Sequence, residues 1–147
     1  MIRFAFYSPP LYLANNTTEP KMSIKRKKHI LVIDDEPAWQ KITSHILRSH
    51  GYDVLTAGSG AEALKALKTF RPDLIFSDVR MPDMNGFDLV DSLKRNPATF
   101  STPVIFFSAI DDYDARKVAR TLGAVDYLIK PFNEDEVSSV LSKHLPI

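Results

Sequence analysis

Cysteine, long apolar runs and net charge are all missing or scarce in this sequence of 147 residues. Because there is no cysteine, disulfides and thiolate chemistry are excluded, and a reducing compartment is permitted although not proven. No stretch approaches the roughly 18–20 apolar residues that a helix needs to span a bilayer. We therefore expect a single domain without a membrane segment, and a hydrophobic content of 44% is sufficient for an ordinary core.

The net charge of +1 conceals two segments of opposite sign. Residues 1–28 contain six of the 19 Lys and Arg residues but only one of the 18 Asp and Glu residues. The remainder of the chain therefore has more acids than bases. A nucleic-acid-binding domain usually has a basic surplus, so we expect no direct DNA binding.

Residues 1–28 also differ in kind from the rest of the chain. A signal peptide needs a positive start and an unbroken apolar stretch, whereas this segment has Arg3 alone and is interrupted by Pro9 and Pro10. We predict that translation starts at Met22, or that 1–28 is a disordered basic extension of a domain over 29–147. The basic residues 25–28 are best explained as a solvated segment that leads into the first predicted strand. We expect a cytoplasmic protein.

From residue 29 onward, short apolar runs alternate with amphipathic helical stretches. The strands are continuous hydrophobic runs, which is typical of strands covered on both faces in a parallel sheet. Five such units predict a doubly wound α/β domain with five strands and five helices. The predicted strands are 29–33, 53–57, 73–77, 103–107 and 125–129, and the predicted helices are 37–50, 60–70, 86–95, 112–122 and 134–144.

Individual residues support these boundaries. Pro37 suits the first turn of a helix. Gly51 and Gly123 follow helices, where a left-handed residue is favoured. Ser59 and Asn133 each precede a glutamate by three residues, which is typical of helix N-caps.

Polar residues follow four of the predicted strands. Asp34 and Asp35 follow the first strand, Asp78 the third, Ser108 the fourth and Lys130 the fifth. Right-handed crossovers place the carboxyl ends of parallel strands at one edge of the sheet. We therefore predict that these side chains meet in a site at that edge.

The chemistry of these residues indicates a metal and a phosphoryl group. Three carboxylates at close range repel, and a hard cation such as Mg²⁺ (or Mn²⁺) would neutralise them. Asp78 would then act as a nucleophile that forms an aspartyl phosphate, with Ser108 and Lys130 stabilising the phosphoryl oxygens. Taken singly, each residue has a simpler explanation as a turn, cap or surface residue. Their shared position at strand ends favours the site.

Four segments resemble the receiver domain of two-component response regulators, and the similarity covers about residues 29–145. The segments are 30–37 (ILVIDDEP), 72–86 (PDLIFSDVRMPDMNG), 103–109 (PVIFFSA) and 123–132 (GAVDYLIKPF). The resemblance implies a flavodoxin-like sheet with strand order 2-1-3-4-5. It also implies that the protein is a signalling phosphoacceptor rather than an enzyme.

Within that family, Asp78 would accept a phosphoryl group from a histidine kinase or a histidine phosphotransfer protein. The resemblance implies that Asp35, Asp78 and the backbone carbonyl of Arg80 bind Mg²⁺, and that Asp34 acts through water. Ser108 would hydrogen-bond the phosphoryl group and Lys130 would pair with it. The bond between Lys130 and Pro131 would be cis.

The resemblance also implies a conformational switch. On phosphorylation, the Ser108 hydroxyl would move toward the phosphoryl group and the ring of Tyr127 would swing inward behind it. The fourth helix, fifth strand and fifth helix would then present a changed surface to a downstream protein target, or to a second copy in a phosphorylation-dependent homodimer.

Three further positions carry hypotheses, and two of them, Arg80 and Ile110, vary within the family. Arg80 and Ile110 would flank the path of an attacking water, and apolar Ile110 cannot orient one, so we expect slow self-dephosphorylation. Arg80 could also pair with the phosphoryl group and stabilise it. Trp39, one turn into the first helix, would pack in the core or, less favoured, form part of a docking rim for a kinase.

Other functions fit the sequence less well. A phosphatase of the haloacid dehalogenase type would need a second Asp where Arg80 stands. A flavin binder would want a Ser/Thr/Gly-rich loop after the first strand, where this chain has Asp34 and Asp35. A receiver-like domain used only for binding would not need the full acidic site.

The sequence ends at Ile147, directly after the fifth predicted helix. Three interpretations stay open: a stand-alone regulator, a relay intermediate that passes phosphate to another histidine, and a fragment of a larger regulator.

Overall fold

A computed structural model describes residues 26–109 and 113–145. In this part of the chain, strands and helices alternate in the order β1 (His29–Ile33), α1 (Pro37–Ser49), β2 (Asp53–Ala57), α2 (Gly60–Ala66), β3 (Leu74–Asp78), α3 (Gly86–Lys94), β4 (Val104–Ser108), α4 (Tyr113–Thr121), β5 (Asp126–Ile129) and α5 (Glu134–His144). The strands form one parallel sheet in the order β2-β1-β3-β4-β5. The predicted fold class and strand order are confirmed.

The sheet is covered on both faces, and the side chains of each central strand alternate between two cores. Ile30, Val32 and Phe76 belong to the core under α1 and α5. Leu31 and Phe106 belong to the core under α2, α3 and α4. This alternation follows from the two-residue period of a strand. Every residue of β3 and β4 is buried, as the continuous apolar runs predicted, whereas the edge strand β2 is partly exposed.

Two strands end one residue later than predicted, and both differences fall at the site. Strand β3 includes Asp78, which pairs in register with Phe107, and β4 includes Ser108, which pairs with Ile129. Each pairing to the next strand extends the ladder by one residue, so Asp78 and Ser108 are held as strand residues and not as loop residues. Asp78 therefore has a backbone fixed by the sheet.

Helix α2 is shorter than the predicted 60–70. It ends at Ala66, after which Lys68 and Thr69 donate backbone hydrogen bonds to residues three positions earlier. Such tightened bonds are common where a helix terminates, and Pro72 follows shortly afterward. The other helices differ from prediction by one residue at their ends or agree with it.

The predicted caps are present in the structure. The Ser59 hydroxyl accepts a hydrogen bond from the backbone N–H of Glu62, and Asn133 forms a reciprocal capping box with Glu136. Gly51 and Gly123 have φ angles of 91° and 103°, the left-handed conformation expected after helices α1 and α4.

The expectations for the amino terminus fall mostly outside the described residues. Met22 and the rest of 1–25 lie there, while Arg26 forms an ion pair of 2.9 Å with Asp73 just before β3. Over 26–109 and 113–145, no helix combines the length and the apolar character that crossing a bilayer requires.

Gly86, the first residue of α3, allows that helix to begin directly against the end of β3. Its N–H donates to the carbonyl oxygen of Val79 at 2.6 Å. A Cβ at this position would lie 2.7 Å from Cε1 of Phe106 and closer still to the backbone oxygen of Asp78. Any side chain here would therefore displace the backbone of Asp78.

We predict that Gly86→Ala destabilises the fold by about 2 kcal/mol or more, because the added methyl group overpacks a site bounded by backbone atoms. Urea unfolding measures the change. Gly58→Ala is the matched control, because its new Cβ would have its nearest neighbours at 3.5 Å. The control should change stability by only about 0.5 kcal/mol. Equal effects of the two substitutions would contradict this account of Gly86.

Candidate functional site

The carboxyl edge of the sheet brings three predicted aspartates together. Asp34 follows β1, Asp78 ends β3, and carboxylate oxygens of Asp34, Asp35 and Asp78 all lie within 4.8 Å of one another. Asp34 is fully buried and Asp78 is 5% exposed, whereas Asp35 faces solvent. Two buried carboxylates and one exposed carboxylate therefore face the same point.

Lys130 reaches this point from the end of β5. Its Nζ lies 2.8 Å from Oδ2 of Asp34, 3.1 Å from Oδ2 of Asp78 and 3.0 Å from Oε1 of Glu36. The side chain is only 6% exposed, and the peptide bond between Lys130 and Pro131 is cis. The three N–H donors of the ammonium therefore face three carboxylates.

The balance of these charges shifts the pKa of two groups. Burial raises the pKa of Asp78 to about 6, the charge of Asp34 adds to the rise, and Lys130 opposes it. Burial alone would lower the pKa of Lys130, but its hydrogen bonds to Asp34 and Glu36 and the charge of Asp78 together raise it. Lys130 is thus held in its charged form beside a carboxylate that ionises less readily than usual.

The oxygen atoms at this edge fit a hard divalent cation. Carboxylate oxygens are the ligands that Mg²⁺ and Mn²⁺ prefer, and three of them converge here without a nitrogen or sulfur donor among them. They open onto a cleft of about 340 Å³. Its lining includes Asp35, Asp78, Arg80, Ser108 and Lys130.

Ser108 and Arg80 flank the cleft beside Asp78. Ser108 is the last residue of β4 and is 2% exposed, and its backbone oxygen accepts a hydrogen bond of 2.8 Å from the N–H of Lys130. Arg80 is exposed, and its N–H lies 3.4 Å from Oδ1 of Asp78. The structure therefore brings both predicted residues to the cleft.

Tyr127 lies on the face of the sheet that α2, α3 and α4 cover, in the core between the sheet and these helices. Tyr127 is 9% exposed. Its ring centroid lies 6.4 Å from the ring centroid of Phe106 and 5.3 Å from the guanidinium carbon of Arg116. The ring therefore contacts helix α4. Ile110 lies outside the described residues.

Two residues near the site have contacts that the sequence did not predict. Glu36 pairs with Lys130, although the only signal was a third acid directly after two aspartates. Asp83 accepts hydrogen bonds from the N–H groups of Ala61 (2.8 Å) and Gly60 (3.1 Å), which lower the pKa of its carboxyl. Asp83 thereby ties the loop after Asp78 to the start of α2.

Comparison with known proteins agrees with this geometry. The family model described as the response regulator receiver domain matches residues 30–142. The chain belongs to this family. Receiver domains of two-component response regulators are generally phosphoacceptors.

Relatives include proteins of different length. The probable transcriptional regulatory protein TcrX of Mycobacterium tuberculosis is 39% identical over 109 residues, which cover 74% of this chain and 45% of that protein. The chain thus spans about half the length of this relative. Protein PilG of Pseudomonas aeruginosa is 34% identical over 117 residues, covering 80% of this chain and 87% of that one.

A solved structure has the same fold. The chemotaxis protein CheY4 of Vibrio cholerae superimposes with a TM-score of 0.78 at 32% sequence identity, over 82% of this chain and all of that one. The receiver fold inferred from the sheet order is therefore shared with a protein of known structure.

The raised pKa of Asp78 predicts a stability change with pH. A carboxyl whose pKa is higher when folded than when unfolded favours folding at low pH, and that contribution is lost as the pH rises through about 6. Metal-free Asp78→Asn should therefore be more stable than wild type by about 1–2 kcal/mol near pH 7.5. The difference should shrink as the pH falls from about 6 to about 4.

Urea unfolding across this pH range measures the effect. Asp83→Asn is the control of opposite sign, because the hydrogen bonds to Asp83 lower the pKa of its carboxyl. That variant should be less stable than wild type at neutral pH and should approach wild type as the pH falls. Destabilisation of Asp78→Asn at neutral pH would contradict the assignment.

Proposed function

We propose that this receiver domain accepts a phosphoryl group on Asp78 from a histidine kinase or a histidine phosphotransfer protein in the cytoplasm. The observation that carries the proposal is the pairing of Asp78 with the ammonium of Lys130 at 3.1 Å, at the mouth of an acidic cleft. A nucleophilic carboxylate, a fixed cation and a place for a metal are what phosphoryl transfer requires.

In the proposed step, an oxygen of Asp78 attacks the phosphorus of a phosphohistidine. An O–P bond forms as the N–P bond breaks, and the imidazole leaves as a neutral ring if its other nitrogen carries a proton. Lys130 exchanges a carboxylate partner for a phosphoryl oxygen, and the Ser108 hydroxyl donates a hydrogen bond to another.

The metal would be held by Asp35, Asp78 and the backbone carbonyl of Arg80, with Asp34 acting through water. When bound, Mg²⁺ or Mn²⁺ supplies positive charge to the carboxylates and to the phosphoryl oxygens. The convergence of three carboxylates supports this assignment, because a divalent cation would offset the repulsion among them.

We further propose that phosphorylation changes the surface formed by α4, β5 and α5. Tyr127 supports this, because its ring contacts Arg116 of α4 and Phe106 of β4, so a change in the ring position must alter a contact with α4. The partner that binds the changed surface would be a downstream protein or a second copy of the domain. We favour a binding switch over a relay that passes the phosphoryl group to another histidine.

The phosphoacceptor is tested by incubation with acetyl phosphate and Mg²⁺, read by intact mass. Wild type should gain one phosphoryl group, and Asp78→Asn should gain none because the amide is not a nucleophile. Asp88→Asn is the matched control: it changes an exposed aspartate in the first turn of α3 and should still be phosphorylated. A wild type that gains no mass would overturn the proposal.

A second prediction concerns the lifetime of the phosphoryl group. Exposed Arg80 lies beside the cleft, where its guanidinium can pair with the phosphoryl oxygens and obstruct water. We expect a half-life of minutes or longer in Mg²⁺, and a shorter one for Arg80→Ala, as followed by loss of the phosphorylated mass. A half-life of a few seconds for wild type would rule out this role.

A further inference from the structure

Two aromatic rings lie against the ammonium of Lys130. Its Nζ is 5.2 Å from the ring centroid of Trp39 and 5.2 Å from that of Phe107. A cation within about 6 Å of an aromatic face is attracted by the ring quadrupole, most strongly by that of tryptophan. Lys130 therefore has two kinds of partner, the three carboxylates on one hand and two neutral rings on the other.

The rings are fixed by the core and not by the cleft. Trp39 projects from the first turns of α1 and packs against Phe132, with centroids 5.0 Å apart and planes inclined by 42°. Phe107 is fully buried on β4, and its centroid is 5.8 Å from that of Phe132. The three rings form a wall along the side chain of Lys130 on the α1 and α5 face of the sheet.

The carboxylate partners of Lys130 are the same groups that the proposed reaction needs. Asp34 and Asp78 each direct one oxygen to the ammonium, and a divalent cation would attract those oxygens while repelling Lys130. A phosphoryl group on Asp78 would change that partner covalently. Neither metal binding nor phosphorylation of Asp78 removes the attraction between Lys130 and the rings. The rings are neutral and have no oxygen with which to bind a hard cation.

We propose that Trp39, supported by Phe107, is a positioning residue that keeps the Lys130 ammonium directed at Asp78 during phosphoryl acceptance. This inference rests on the proposed function. An aromatic face attracts the ammonium over a broad range of angles, so Lys130 can exchange a carboxylate for a phosphoryl oxygen without leaving the ring. The three N–H donors stay available for oxygen acceptors throughout.

The test uses the fact that Trp39 is the only tryptophan in the sequence. Replacing it with mono-, di- and trifluorinated tryptophan weakens the ring quadrupole stepwise and nearly preserves the shape of the ring. The rate of phosphorylation by acetyl phosphate should fall with each added fluorine, by about threefold to tenfold in total over the series. Rates that stay flat while wild type is phosphorylated would overturn the role of Trp39.

Two further variants separate the ring from simple packing. Trp39→Phe keeps an aromatic face and should retain most of the rate, whereas Trp39→Leu keeps only the apolar contact and should lose about as much as the trifluorinated protein. Thermal melting of each variant monitors the fold. Equal rates for Phe and Leu at position 39 would contradict the proposal.

A measurement without metal or phosphoryl donor tests the contact itself. Ring currents of Trp39 should shift the ε-methylene protons of Lys130 upfield in the NMR spectrum of the resting protein. The part of the shift due to Trp39 should be lost in Trp39→Leu, which leaves the part due to Phe107, and it should be partly kept in Trp39→Phe. If this shift is present but wild type takes no phosphoryl group, the proposed function fails and the role of Trp39 with it. If the shift is absent, the contact is refuted independently of phosphorylation.

Discussion

The ammonium of Lys130 is the one charge on which the arrangement of the acidic edge depends. It lies within 3.1 Å of oxygens from three carboxylates, one of them on the fully buried Asp34. A buried carboxylate without a partner would cost several kcal/mol, on the order of 3–5 kcal/mol when one member of a buried pair is removed. The chain therefore has to bring the end of β5 across the ends of β4 and β3 to the end of β1, and the parallel sheet is the structure that does so.

The loop and the helix that follow β3 help to fix the position of Asp78 at this edge of the sheet. Gly86 lets α3 begin in contact with the backbone of Asp78, and Asp83 fastens the intervening loop to the first N–H groups of α2. Neither residue is itself part of the cleft lining. Gly86 restricts where the backbone of Asp78 can lie, so the Asp78 carboxylate is positioned partly by a contact on the far side of its backbone.

Local patterns in the sequence were enough for the fold and for much of the site. The apolar runs predicted the strands, Gly51 and Gly123 marked helix ends, and the strand-end rule placed the aspartates near Lys130. The residues that could not be predicted act through contacts remote in sequence: Glu36 reaches Lys130 across 94 positions, and Asp83 reaches Gly60 across 23. The added residue at the end of β3 and β4 has the same origin, because pairing with neighbouring strands decides where a strand stops.

The single indole of this protein has an optical consequence. Trp39 lies 5.2 Å from the centre of positive charge at Lys130, and the electric field of a nearby charge falls off steeply with distance. An indole changes its dipole on excitation, so its emission responds to the local field. Any event that moves charge at the carboxyl edge of the sheet is thereby reported by the chain's own fluorescence, with no added label and no second tryptophan to obscure it.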